Sequence, residues 1–206
     1  MARSKDFESA LKYASRLHAK QTRKGSDAPY VSHLLAVAAI ALEHGATEKE
    51  AIAALLHDAV EDQGGQETLD EIRRRYGKRV ARIVAACSDT DHLPKPPWRE
   101  RKEAYVERLR SEPYSVRLVV AADKLHNARD LLSSYRVQGD DLWSHFNGGR
   151  DGTLWYYRAV ADALVGAAEP EETQLQAIID EIDRTLAALR QAMAERDLTA
   201  AARDLS

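Results

Sequence analysis

A single cysteine, Cys87, is present among 206 residues, and that alone excludes an intrachain disulfide framework. It lies in the apolar run "RIVAACSDT", the setting of a reduced, buried thiol rather than a nucleophile. Long apolar stretches are also missing. No window approaches the roughly 18 uninterrupted apolar residues of a membrane span, and the start "MARSKDFESALKY" has no signal-peptide character, so the expected location is cytoplasmic. Neither sign of charge dominates: 30 Lys and Arg stand against 33 Asp and Glu, a formal net charge of −3. That balance gives no reason to expect nucleic acid or a membrane surface as a partner, and any basic patch must be local. Strict polar–apolar alternation over a strand length is absent, as are internal repeats and low-complexity linkers.

What is present is apolar spacing of three and four residues almost everywhere, which predicts an all-α fold of about nine or ten helices. The first is expected over residues 4–21, ended by "TRKGSDAP", and the second from about Ser32 to His44, stopped by Gly45. Thr47 with Glu50, and Thr68 with Glu71, have the spacing of reciprocal helix caps, so a helix should start at each. A helix over 78–88 is broken by the prolines of "DTDHLPKPP", and a charged helix begins near Trp98. Pro113 opens a long helix through "YSVRLVVAADKLHNARDLL"; "DLWSHF", "TLWYYRAVADALVGAA" and a stretch from about Glu172 to Arg196 supply the rest, with a fraying tail beyond Asp197. A lone final helix needs packing to be stable. One domain over 1–206 is therefore expected, its core at about 4–168 and its C-terminal helix at about 172–196.

The stretch "AIAALLHDAVEDQGG", residues 51–65, begins as an apolar helix and then crowds His57, Asp58, Glu61 and Asp62 into six positions. Carboxylates at a helix C-terminus are disfavoured by roughly 0.3–1 kcal/mol each. Water would tolerate such an end on a solvated helix. Here, however, His57 and Asp58 follow "AIAALL", which must face a core on most sides, and buried charge needs counter-charge. A divalent cation would turn the penalty into attraction.

Further ligands must come from other helices. His33, in "YVSHLLAVAAIAL", is either a hydrogen-bonded core histidine or a ligand; Asp123, in "VRLVVAADKLHN", either pairs with Lys124 or Arg129 or is a ligand. Two imidazoles with two carboxylates would leave room for water and substrate oxygens, suiting Mn²⁺ or Fe²⁺ more than a closed structural zinc. A cation with open positions can polarise a phosphoryl group and acidify a water that Glu61 and Asp62, one turn on, can orient or deprotonate. Arg23 and Lys24 in "TRKG", and Arg99, Arg101 and Lys102 in "WRERKEAY", are either phosphate-binding cations or solvated surface. The run "RRRYGKR" reads as solvated surface, and Trp155 and Tyr156 as core aromatics, with base stacking the alternative.

Four segments in order, "TRKGSDAPYVSHLLAVA", "ALLHDAVEDQ", "SDTDHLPKPPWRERKEAY" and "AADKLHNARDLL", resemble the HD phosphohydrolase superfamily. More narrowly, they resemble the hydrolase domain of the RelA/SpoT homologues and the stand-alone small alarmone hydrolases. The resemblance implies an HD-domain helical bundle holding a divalent metal, manganese favoured, on His33, His57, Asp58 and Asp123. It assigns Glu61 and Asp62 to water activation and catalysis, places Arg23 and Lys24 against the nucleotide, and puts Asn127 beside the pocket. The implied activity is removal of the 3′-pyrophosphate of (p)ppGpp. The rivals are a phosphatase acting on NADPH, a nucleoside monophosphate or another phosphoester, and a non-catalytic nucleotide-binding module. The aromatic-rich "LWSHFNGGRDGTLWYYRAV" and the extra prolines of "SDTDHLPKPPW" depart from that family's pattern.

Overall fold

The computed structural model describes residues 5–90 and 96–204; "DHLPK" of the expected proline-rich break, and Ser4 of the expected core, fall outside them. The described chain forms α1 (Lys5–Leu17), α2 (Val31–Glu43), α3 (Glu48–Leu56), α4 (Ala59–Asp62), α5 (Gly65–Cys87), α6 (Trp98–Leu109) and α7 (Tyr114–Gln138). A 3₁₀ helix (Gly139–His145), α8 (Gly149–Ala167) and α9 (Thr173–Asp204) follow. No strand occurs among the described residues, only an isolated bridge between Thr22 and Pro29. The expected all-α fold is what forms. No helix there is long and apolar enough to cross a membrane.

α3 and the first half of α7 are buried almost all round and set the frame. In α7 every residue from Val116 to Asp123 is buried, and in α3 every residue from Glu50 to Leu56. Helices apolar on all faces belong in the middle of a bundle. Accordingly α7 packs against α2, α3, α5, α8 and α9, while α3 also carries α1 and α5. The one-faced helices close the outside: α9 buries Leu175, Ile178, Ile179, Ile182, Leu186 and Leu189, a stripe at helical spacing laid mainly along α7. Each such side chain contributes about 1.5–3 kcal/mol when fully buried.

Several expected boundaries move, each for a local reason. The Thr47 cap forms as expected, with Glu50 Oε2 accepting from the Thr47 N–H at 2.7 Å and hydroxyl at 2.8 Å. The Thr68 cap does not. Gly64 and Gly65 take φ of 116° and 58°, the chain reverses there, and α5 starts at Gly65. Thr68 thus lies inside the helix with its hydroxyl on Gln63 O at 2.5 Å, and Glu71 pairs with Arg74 and Arg75. The helix expected over 78–88 is the second limb of α5, set off by Gly77 (φ 87°, ψ 170°). α1 ends at Leu17 rather than at 21, because the Thr22–Pro29 bridge pulls the following loop back on itself. At the other end α9 continues to Asp204, beyond the expected fraying point at Asp197.

Candidate metal centre and active-site cavity

α3 stops at Leu56, and α4 restarts at Ala59, so His57 and Asp58 sit at a break between two helices rather than on one continuous wall. Both keep right-handed helical φ and ψ, but the interruption lets consecutive side chains converge. His57 Nε2 lies 3.0 Å from Asp58 Oδ2. α2 and α7, packed on the same side, bring His33 and Asp123 to the same point. His33 Nε2 is 3.3 Å from His57 Nε2, 3.4 Å from Asp58 Oδ2 and 3.3 Å from Asp123 Oδ1; His57 Nε2 is 3.5 Å from Asp123 Oδ1. These are the separations of atoms that share one ion at about 2 Å. His33, His57 and Asp58 form a group whose donor atoms all lie within 4.8 Å of one another.

The donor chemistry fits a divalent cation. His57 Nδ1 donates to Ala54 O at 2.8 Å, which places its proton there and turns the lone pair of Nε2 toward the cluster. His33 Nδ1 lies 2.9 Å from His126 Nδ1, and burial, with His33 and Arg23 nearby, lowers the His126 pKa to about 4. His126 is therefore neutral, and in the tautomer whose Nδ1 accepts from His33 Nδ1–H, His33 too presents a bare Nε2. Two lone pairs facing each other at 3.3 Å inside a protein repel unless positive charge lies between them. The carboxylates draw positive charge to this point: burial opposes it, but Asp58 and Asp123 outweigh it and hold the His57 pKa well above the ordinary imidazole value, so a proton and a cation compete for the same Nε2. Tyr30 OH donates to Asp58 Oδ2 at 2.6 Å, while Lys124 at 2.7 Å and Asn127 donate to Asp123, orienting both acids. Of the two alternative partners for Asp123, Lys124 is engaged; Arg129 pairs with Glu181 instead.

The cluster opens into a cavity of about 300 Å³, and Glu61, Asp62, Arg23, Lys24, Arg101 and Lys102 all line it. Arg23 is held by Asn127 Oδ1 and Asp130 Oδ2, both at 2.7 Å, so the "TRKG" loop is tied to α7 rather than solvated; Lys24 is exposed beside it. On α6, Arg101 Nη1 binds both oxygens of Asp89 at 2.7 Å and lies 3.5 Å from Glu61 Oε1, while Lys102 donates to Asp89 Oδ2 at 2.6 Å. Arg101 Nε is buried without a hydrogen-bond partner, a donor aimed where no described acceptor stands. Arg99 turns away to stack on Trp155 at 3.3 Å from the ring centroid. Burial and then the Asp58 charge raise the Asp62 pKa above the usual aspartate value, which favours its accepting a proton, while a hydrogen bond from Gln21 opposes the shift. Tyr156 lines the cavity at 7% exposure, wedged between Lys102 and Lys124, so its ring is packing first. Burial pushes the Cys87 thiol pKa up, away from nucleophilic thiolate.

Sequence spacing did not reveal Tyr30, His126 or Asp89. His126 and Tyr30 lie three residues from Asp123 and His33, which is a usable signal on a helix; Asp89 lies in a connecting segment that no pattern marks.

The sequence profile of the HD domain family matches residues 10–154. The chain is 39% identical over 145 residues to guanosine-3′,5′-bis(diphosphate) 3′-pyrophosphohydrolase MESH1 of Homo sapiens, covering 66% of this chain and 78% of that one. With the Drosophila melanogaster protein of the same name it is 31% identical over 184 residues, 88% and 94% of the two chains. The bifunctional (p)ppGpp synthase/hydrolase SpoT of Escherichia coli K12 is 35% identical over 135 residues, 63% of this chain and 18% of SpoT. A solved structure described as a metazoan ortholog of SpoT that hydrolyzes ppGpp superposes with a TM-score of 0.70 at 30% identity, over 88% of this chain and 97% of that one.

Proposed function

The chain belongs to the HD-domain family, and from that premise we propose that it is a metal-dependent phosphohydrolase that removes the 3′-pyrophosphate of (p)ppGpp. The observation that carries this is the placing of Asp58 Oδ2 and Asp123 Oδ1 each within 3.0–3.5 Å of the paired His33 Nε2 and His57 Nε2, at the base of a cavity lined by cations. These four residues are the proposed ligands of a divalent metal, manganese by the mixed imidazole and carboxylate set. When bound, such an ion supplies Lewis acidity toward a phosphoryl oxygen and lowers the pKa of water.

The chain's own residues do the rest. Glu61 and Asp62 orient the attacking water and take its proton, and burial with the Asp58 charge shifts the Asp62 pKa upward, in the direction that favours acceptance. Arg101 and Lys102 from α6, and Arg23 and Lys24 from the α1–α2 loop, form two separate cationic groups. That division matches a nucleotide carrying phosphates on both the 3′ and 5′ positions better than a monophosphate. The buried Arg101 Nε supplies a donor for a phosphoryl oxygen. Asn127 holds Arg23 and Asp123 in place from α7. The proposed unit is one domain, since α9 packs on the helix that carries Asp123, and the proposed place of action is the cytoplasm, where such nucleotides are dissolved.

Purified protein with Mn²⁺ and a nucleotide panel provides the test. Release of pyrophosphate from ppGpp is expected, with loss on Glu61→Ala. Orthophosphate from NADPH or a nucleoside monophosphate as the main product would replace the substrate, and equal inactivity of wild type and Glu61→Ala with equal nucleotide binding would replace the enzyme.

A further inference from the structure

His18 and Gln21 follow α1 and belong to neither the proposed ligand set nor the phosphate-binding cations, yet Gln21 lines the cavity and His18 packs directly behind it. His18 is 2% exposed, with its ring stacked on Tyr30 at 5.1 Å between centroids and 15° between planes. Its Nδ1 lies 2.7 Å from Gln21 Oε1. Gln21 Nε2 in turn donates to Asp62 Oδ2 at 2.7 Å. Elimination fixes the proton positions. A carboxylate only accepts, so the Gln21 amide nitrogen must face Asp62; the Gln21 carbonyl then faces His18 and also accepts from Gln63 Nε2 at 2.7 Å. His18 must therefore carry its hydrogen on Nδ1.

That leaves His18 Nε2 buried with no partner. A ring needed only for packing on Tyr30 would be better as phenylalanine, which has no polar atom to strand. The imidazole is explained if its other nitrogen is required. Asp62 makes clear why: it ends the four-residue α4, just before the Gly64–Gly65 reversal, and its side chain is exposed to the cavity. Short helix ends hold their side chains loosely, so an aimed carboxylate there needs an outside tether.

We propose that His18 and Gln21 are positioning residues: His18 orients the Gln21 amide, and Gln21 fixes the Asp62 carboxylate in the geometry that receives the proton of the attacking water. The same imidazole braces Tyr30, whose hydroxyl bonds Asp58, so one buried ring steadies the acid on each side of the site. The relay depends on the assignment of Asp62 to catalysis, and the experiments separate the two.

The first measurement needs no turnover. Nitrogen-15 shifts of the His18 ring in the full-length chain are expected to show a protonated Nδ1 and a bare Nε2, and to lose that preference in Gln21→Ala; an Nε2–H tautomer in wild type overturns the relay. The second is kinetic, with ppGpp and Mn²⁺. His18→Phe keeps the stack and loses the donor, and is expected to lower kcat about 10–100-fold with KM, bound manganese and Tm little changed. Gln21→Ala should match it. His18→Asn, whose amide nitrogen can stand where Nδ1 stands, should recover most of the loss. Combining His18→Phe with Asp62→Asn should add nothing to Asp62→Asn alone. Full kcat in His18→Phe, or no recovery in His18→Asn, overturns the relay while an inactive Asp62→Asn keeps the catalytic assignment. Full activity in Asp62→Asn removes that assignment itself.

Discussion

Glu50 is a carboxylate with only 3% exposure, held by Ser115 at 2.6 Å, by Thr47 and by Arg79 at 3.2 Å. Burial pushes its pKa up, but the hydrogen bonds from Ser115 and Thr47 and the charge of Arg79 outweigh it and leave the value below 4.5. A depressed folded-state pKa stabilises the native chain above the unfolded value, and that contribution disappears as pH falls through the folded one. Glu50→Gln should therefore cost about 1–3 kcal/mol at neutral pH, and urea unfolding should show the gap between variant and wild type closing below pH 4.5. Asp89 is also a buried acid, and it has two cationic partners, Arg101 and Lys102. Asp89→Asn should free Arg101 and Lys102 from their shared anchor, raising KM for the nucleotide severalfold with a smaller loss in kcat. An unchanged KM would remove both cations from substrate binding. At this scale the proposed ligands were legible because His33 and Asp123 interrupt apolar stripes; Asp89 was not, because a single sequence does not show which connecting segment meets which helix.

Among the elements, α5 bends where Gly77 adopts φ 87° and ψ 170°, a region that only glycine enters without strain. Its Cβ position is open, so backbone conformation alone governs substitution there. Gly77→Ala is expected to cost about 1–3 kcal/mol, lowering Tm by about 2–4 °C per kcal/mol. Calorimetry checks it, and an unchanged Tm would mean that the two limbs can straighten. The kink explains why apolar spacing split this stretch into separate helices although the chain runs on. The opposite failure occurred at Thr68: its spacing to Glu71 imitates a cap, but two glycines immediately upstream decided where the helix begins. Local patterns located the helices. Turns settled their ends.

The molecule as a whole depends on the seam between α7 and α9, which buries the apolar stripe from Leu175 to Met193. Truncation before Thr173 would expose that stripe's partner surface on the helix bearing Asp123. The shortened chain is expected to bind a hydrophobic dye and to aggregate on mild heating, and a monodisperse, cooperative fragment would contradict this. Metal removal acts differently. An ion bound only by the native state at one hundred times its Kd adds about 3 kcal/mol, so a chelator should lower Tm by several degrees with no change in helical circular dichroism. That spacing along the chain exposes the site but not the supports His18, Gln21 and Asp89 follows from the architecture, since these come from the α1–α2 loop and the segment before α6.

The proposed ligand atoms stand at positions 33, 57, 58 and 123, on stretches that touch only once α2, the α3–α4 break and α7 have assembled. An unfolded chain offers the cation no preformed grip, so capture must come late. Manganese should then leave the speed of refolding nearly untouched while slowing escape from the native basin, making the ion a latch on a door already shut.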